Sequence, residues 1–324
     1  MKIFRNTQLI VFLQRFFYIF GLATFSINEC NGVSGDLKIR KLKFSESRLG
    51  VFYNVGVIIL IISCCTIGFY IQYMLGYKKK ISLFEIVGFF LIFLGSAVAV
   101  LIQFNYCTNQ KSLIKILTKI YVMSQTLNIL NPVGKKYSPV TYIIIILLIY
   151  ISFEVTFLTT GILYLYQKQI LLLFITIFLP KSIIVLLVFQ YTCIAKILLS
   201  MFKNINKSIS RTRNAKVSFN TKIRILRMYK FSKWKNLSTL FTIYATLFDL
   251  TTQVSNFFGF MILCCFSYIF ASLVGSMYFI LVFLIEKKLI FDFIAYLHEF
   301  LFIIYYIVCI VSLTRTITEI TNEV

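Results

Sequence analysis

Six ionisable side chains sit inside apolar stretches of this chain: Glu85, Glu154, Lys181, Asp292, His298 and Glu299. In hydrocarbon such groups face a cavity or a partner and mark binding or transport pathways. Glu154 and Lys181 fall about midway along two consecutive apolar runs joined only by Gln167-Lys168-Gln169. So short a turn makes the runs antiparallel and sets both charges at similar depth. The two read equally as a structural ion pair in a helix bundle and as opposite walls of a pocket. Asp292 and Glu299 are two helical turns apart and share a face, whereas His298 lies on another. Either a hydrated outer cavity surrounds them or the last apolar run begins a few residues later. With Tyr296 between them, the ligand-binding candidates are Glu154, Lys181, Asp292, Tyr296, His298 and Glu299.

Other chemistry is poorly supplied. There is no Gly-rich phosphate loop, no G-x-S-x-G elbow and no H-E-x-x-H pair. His298 is the only histidine. Cys30, Cys64, Cys65, Cys107, Cys193, Cys264, Cys265 and Cys309 form no C-x-x-C pair, and seven of these eight lie in or beside apolar runs. They read as reduced packing thiols. The expectation is a protein that is not an enzyme, with no metal site and no cofactor.

The elements that hold these residues are membrane helices. Of 324 residues 59% are hydrophobic and 14% charged, with a mean hydropathy of +0.88. A soluble domain carries about 25% charged residues, and several runs here exceed the ~20 apolar residues that span a bilayer. The fold class is all-α, a polytopic membrane protein with six spans. These are Val51–Met74, Ile81–Cys107, Thr141–Tyr166, Ile170–Ser200, one within Leu237–Leu284, and Leu289–Leu313. Leu237–Leu284 contains a single charge, Asp249, and is long enough to cross twice, which would give seven. A single helix that starts in the cytosol and crosses from about Asn256 leaves Asp249 and Gln253 outside the membrane, and we read it so.

The remaining segments are short. In the N-terminal segment, residues 1–50, Phe16–Ile27 reads as an amphipathic or half-buried helix near the inner surface. Lys38–Arg48 reads as a basic loop, with Ser45-Glu46-Ser47 capping the next helix. In the linker Thr108–Val140, Lys111, Lys115 and Lys119 share one helical face, opposite Ile114, Leu117, Ile120 and Tyr121. Asn131-Pro132 and Ser138-Pro139 break that helix. Residues 314–324 form a tail. The pairs Gly95/Ala99 and Ala271/Gly275 would let helices approach closely.

Charge sets the orientation. The loop 201–236 holds eleven basic residues between Lys203 and Lys235 and no acidic one. With the N-terminus inside, 25 Lys and Arg residues lie in cytoplasmic segments and 6 outside. Basic residues flanking spans stay inside, so the N-terminus is cytoplasmic. The net charge of +22 is met by anionic lipid and by topology, without nucleic acid. The sequons at Asn206 and Asn236 fall in the cytoplasmic loop and are expected to stay unmodified.

Tyr18-Ile19-Phe20-Gly21-Leu22 before the first span, Asn256-Phe257-Phe258-Gly259 in the fifth, the basic linker before Asn256, and Cys309 followed by Glu319 resemble the insect gustatory receptor family, part of the insect chemoreceptor superfamily. The likeness covers essentially the whole chain. It implies a seven-helix plasma-membrane subunit that assembles as a homo- or hetero-tetramer into a cation channel opened by a small-molecule tastant. The implied pocket lies among the outer halves of the second to sixth spans. That family's final, pore-lining span carries Thr-Tyr followed five residues later by Gln-Phe, which this sequence lacks before Val324. The expectation is a truncated or non-functional form. An odorant receptor of the same superfamily, or a membrane transporter, is the alternative. A G-protein-coupled receptor would need its N-terminus outside.

Overall fold

The computed structural model of the protein describes residues 12–34, 37–76, 83–130, 140–166, 171–214, 223–286 and 292–324. A short helix α1 (residues 12–19) leads into strands β1 (Phe25–Ser34) and β2 (Leu37–Glu46). Helices α2 (Arg48–Gly76), α3 (Leu83–Thr108), α4 (Gln110–Leu130), α5 (Val140–Tyr166), α6 (Leu171–Asn214), α7 (Ile223–Glu286) and α8 (Asp292–Glu323) follow. By length and composition α2, α3, α6, α7 and α8 can cross a membrane, and α5 is as apolar over its 27 residues. The chain is an all-α polytopic membrane protein to which one small hairpin is added.

Helix α6 is the axis. Its apolar window is 89% buried, against 28–44% for the others, and every residue from Ser182 to Gln190 is buried. Helices α2, α3, α5, α7 and α8 all pack against it. A helix apolar all round satisfies every face only when surrounded by other helices or by lipid, and here the other helices surround it.

Helix α7 runs unbroken for 64 residues, about 95 Å at 1.5 Å per residue. That is roughly twice a bilayer of about 40–45 Å including headgroups. With no break the chain has nowhere to double back, so Leu237–Leu284 is one helix. Asp249 and Gln253 lie alongside α4, where Lys119 Nζ donates to Asp249 Oδ2 at 3.3 Å and to Gln253 Oε1 at 3.1 Å. The small residues mark a close approach of α3 and α7. A Cβ on Gly95 would stand 2.8 Å from the Tyr268 ring, and one on Gly275 2.5 Å from Leu91 Cδ1.

Four local expectations change. The helix expected over Phe16–Ile27 ends at residue 19, because the chain turns at Phe20-Gly21 and extends from Phe25. The stretch read as a basic loop, Lys38–Arg48, is mostly strand β2, antiparallel to β1 from Phe25 opposite Glu46 to Ser34 opposite Leu37. Its apolar side packs: Leu42 is buried, and the Phe44 ring lies 5.9 Å from Phe25 and 6.2 Å from Tyr121. The intervening Lys43 is exposed, which is how a basic segment still pays into a sheet. On α4 the buried stripe is Leu113, Ile116, Ile120, Met123 and Leu127, so Ile114, Leu117 and Tyr121 are only half-buried. Residues 314–323 continue α8 as helix. The Ser47 cap is present, its Oγ accepting from the Gly50 amide at 3.1 Å. The breakers Asn131-Pro132 and Ser138-Pro139 lie outside the described residues.

Candidate functional site

Depth can be read from spacing. On α6 no charge intervenes between Lys181 and Lys196, and on α8 none between Glu299 and Arg315. Each interval rises roughly 22–24 Å. Lys196 and Arg315 meet on one carboxylate, that of Glu319, so they mark a common boundary of the apolar layer. In hydrocarbon about 30 Å thick, Lys181 and Glu299 therefore lie in the half away from Glu319.

There, Lys181 Nζ sits 3.8 Å from the centroid of the Phe302 ring on α8. A desolvated cation over an aromatic face is stabilised by about 2 kcal/mol. Glu299 and His298 are one helical turn before Phe302, on the backbone of the same helix. Glu154 directly follows Phe153, whose ring is 5.0 Å from Tyr305. Three helices, α5, α6 and α8, thus converge around Lys181 and Phe302. Of the six candidates only Lys181 has a described side chain. The side chains of Glu154, Asp292, Tyr296, His298 and Glu299 lie outside the described residues, as does that of Glu85.

Beneath this region is a layer of rings. Tyr150 stacks on Phe189 at 5.8 Å and approaches Tyr305 at 6.0 Å, and Tyr305 abuts Tyr306 at 6.2 Å. A shallow groove with room for about 50 Å³ follows between α5 and α8, with Val188 and Thr192 of α6 in its wall. Ile149 and Val308 line its exposed side.

A second constellation was not among the candidates. Residues 20–24 thread into the bundle as a turn followed by irregular chain, with Leu22 and Ala23 buried. Buried carbonyls need donors, and side-chain amides from α2, α3, α4 and α6 provide them. Asn54 Nδ2 donates to the Gly21 carbonyl at 2.7 Å, and Gln103 Nε2 to that of Phe20 at 2.7 Å. Gln190 Nε2 donates to the Leu22 carbonyl at 3.1 Å, and Gln110 Nε2 to that of Thr24. Tyr106 Oη in turn donates to Gln190 Oε1. Gly21 takes a φ of +74°, a conformation that disfavours a Cβ. The available signal was three carboxamides, Asn54, Gln103 and Gln190, inside apolar runs, where unpaired amides are costly.

The comparisons decide the family. A family model described as 7tm Chemosensory receptor matches residues 11–324. The chain belongs to the 7tm chemosensory receptor family. No curated protein matches it. The match to this chemosensory receptor takes in the buried strap and the cluster around Phe257 and Phe258. Phe257 meets Tyr106 edge-on at 5.7 Å and Phe258 meets Tyr191 at 5.4 Å. Two of the sequence features that resemble gustatory receptors, Tyr18–Leu22 and Asn256–Gly259, therefore pack near the Tyr106–Gln190 pair. The family is one of receptors rather than enzymes, and the receptor is a multi-pass membrane protein.

Proposed function

We propose that this chemosensory receptor is a gustatory subunit, part of a plasma-membrane cation channel opened by a small-molecule tastant, assembled as a tetramer with itself or related subunits. The tastant binds in the outer half, among α5, α6 and α8, where Lys181 provides a cation. Glu154, Asp292, Tyr296, His298 and Glu299 provide acceptors and donors around it. The observation that carries this reading is Lys181 held over Phe302: a cation that deep, shared between two helices, links ligand chemistry to the packing of α8 against α6. A bound tastant that draws Lys181 from the ring changes that packing, which is the differential contact a gated state requires.

The test is expression in cells carrying a calcium reporter, with and without related subunits, against a tastant panel. Lys181→Met at normal surface level should abolish the response, while Lys181→Arg should retain part of it. A response unchanged in Lys181→Met would refute the site.

A further inference from the structure

At the inner end of the bundle, three cations converge on one carboxylate. Lys196 Nζ lies 3.5 Å and Lys203 Nζ 3.3 Å from Glu319 Oε2, and Arg315 Nε lies 3.2 Å from Glu319 Oε1. Lys196 is buried, whereas the Arg315 side chain is 74% exposed. Lys207, exposed, lies one turn beyond Lys203, and spacings of seven and eleven residues put Lys196, Lys203 and Lys207 on one stripe of α6. The nearby acids are Glu319 and Glu323, and the Glu323 carboxylate already accepts from Asn206 Nδ2 at 3.0 Å. The chain has no Asp or Glu between Lys196 and Phe248. The corner therefore carries surplus positive charge.

Its position narrows the partner. Lys196 and Arg315 are the first charges met after the apolar intervals of α6 and α8, so the cluster lies at headgroup level of the cytoplasmic leaflet. Nucleic acid or a soluble acidic protein would sit below that level. Three nitrogens already arranged about one two-oxygen acceptor suit a phosphomonoester, which offers three acceptor oxygens and a charge of about −1.5 to −2. We propose that Lys196, Lys203, Lys207 and Arg315 bind the phosphorylated headgroup of a polyphosphoinositide, which takes Lys203 and Arg315 from Glu319 and bears on how α8 is clasped to α6.

The test uses the purified full chain and a fluorescent short-chain phosphatidylinositol bisphosphate, read by polarisation. Unlabelled phosphatidylinositol, phosphatidylserine and soluble inositol trisphosphate serve as competitors. The bisphosphate should bind at least tenfold more tightly than each of them. Arg315→Gln and Lys207→Gln alter exposed side chains, and each should weaken binding about fivefold. Glu319→Gln removes the internal competitor and should tighten binding; if it does not fold, the two exposed-residue variants decide alone. Soluble trisphosphate binding as tightly as the lipid would overturn the membrane assignment. Equal binding of phosphatidylinositol, or unchanged affinity in both exposed-residue variants, would overturn the site.

Discussion

Gly21→Ala tests whether the N-terminal strap is integral to the receptor's core. At Gly21, with φ +74°, an added Cβ would lie 2.5 Å from both Asn54 Oδ1 and Gln103 Oε1, and 3.0 Å from Gln103 Nε2. Those are the amides that donate to the Gly21 and Phe20 carbonyls. The left-handed backbone alone costs an L-residue about 1–2 kcal/mol. Displacing each amide leaves a buried carbonyl unpaired, at about 1–3 kcal/mol apiece. Since neither amide can move without losing its partner, the substitution should destabilise by on the order of 3–8 kcal/mol, a large share of a typical stability of about 5–15 kcal/mol. Gly56→Ala is the control, because nothing lies within 4 Å of its added Cβ, and on exposed helix it should be neutral or slightly stabilising. Surface biotinylation and thermal melting of detergent-solubilised receptor would compare the two. A Gly21→Ala receptor that melts and traffics like the Gly56→Ala control would refute the reasoning.

Other outcomes follow from the same packing. Gly95→Ala drives a Cβ into the Tyr268 ring at 2.8 Å, and overpacking should cost about 1–3 kcal/mol. Gly275→Ala should cost less, since it meets only the end of the Leu91 side chain; melting of the two variants checks the order. If Glu154 and Lys181 pair, Glu154→Gln and Lys181→Met should each cost roughly 3–5 kcal/mol and the double mutant less. Equal loss of surface expression in all three would exclude the pair. An epitope inserted at Asn214 should be reached by antibody only after permeabilisation, and staining of intact cells would reverse the orientation.

Much of the helix plan is written in composition and spacing. Runs such as Thr141–Tyr166 are too apolar and too long for anything but a membrane helix. Ser47 announces the cap that it forms. The sequence also displays Glu154, Lys181 and Glu299 as charges in apolar surroundings, although not what they meet. That Lys181 meets Phe302 depends on how α6 and α8 are rotated about their axes, and no local pattern encodes that rotation.

The hairpin was hidden for a related reason. Its basic residues suggested a loop, but on a strand Leu42 and Phe44 share one face and pack inward while Lys43 between them points out. The strap at residues 20–24 is bonded by amides from positions 54, 103, 110 and 190, which lie far apart in the chain and meet only in the folded bundle. Sequence by itself determined which segments are apolar helices long enough for a membrane. Only the tertiary structure decided that α6 is the axis while α2, of comparable apolarity, largely faces outward. Lipid tails and leucine side chains are equally good solvents for an apolar face, so hydropathy alone does not distinguish a helix wrapped in protein from one wrapped in lipid.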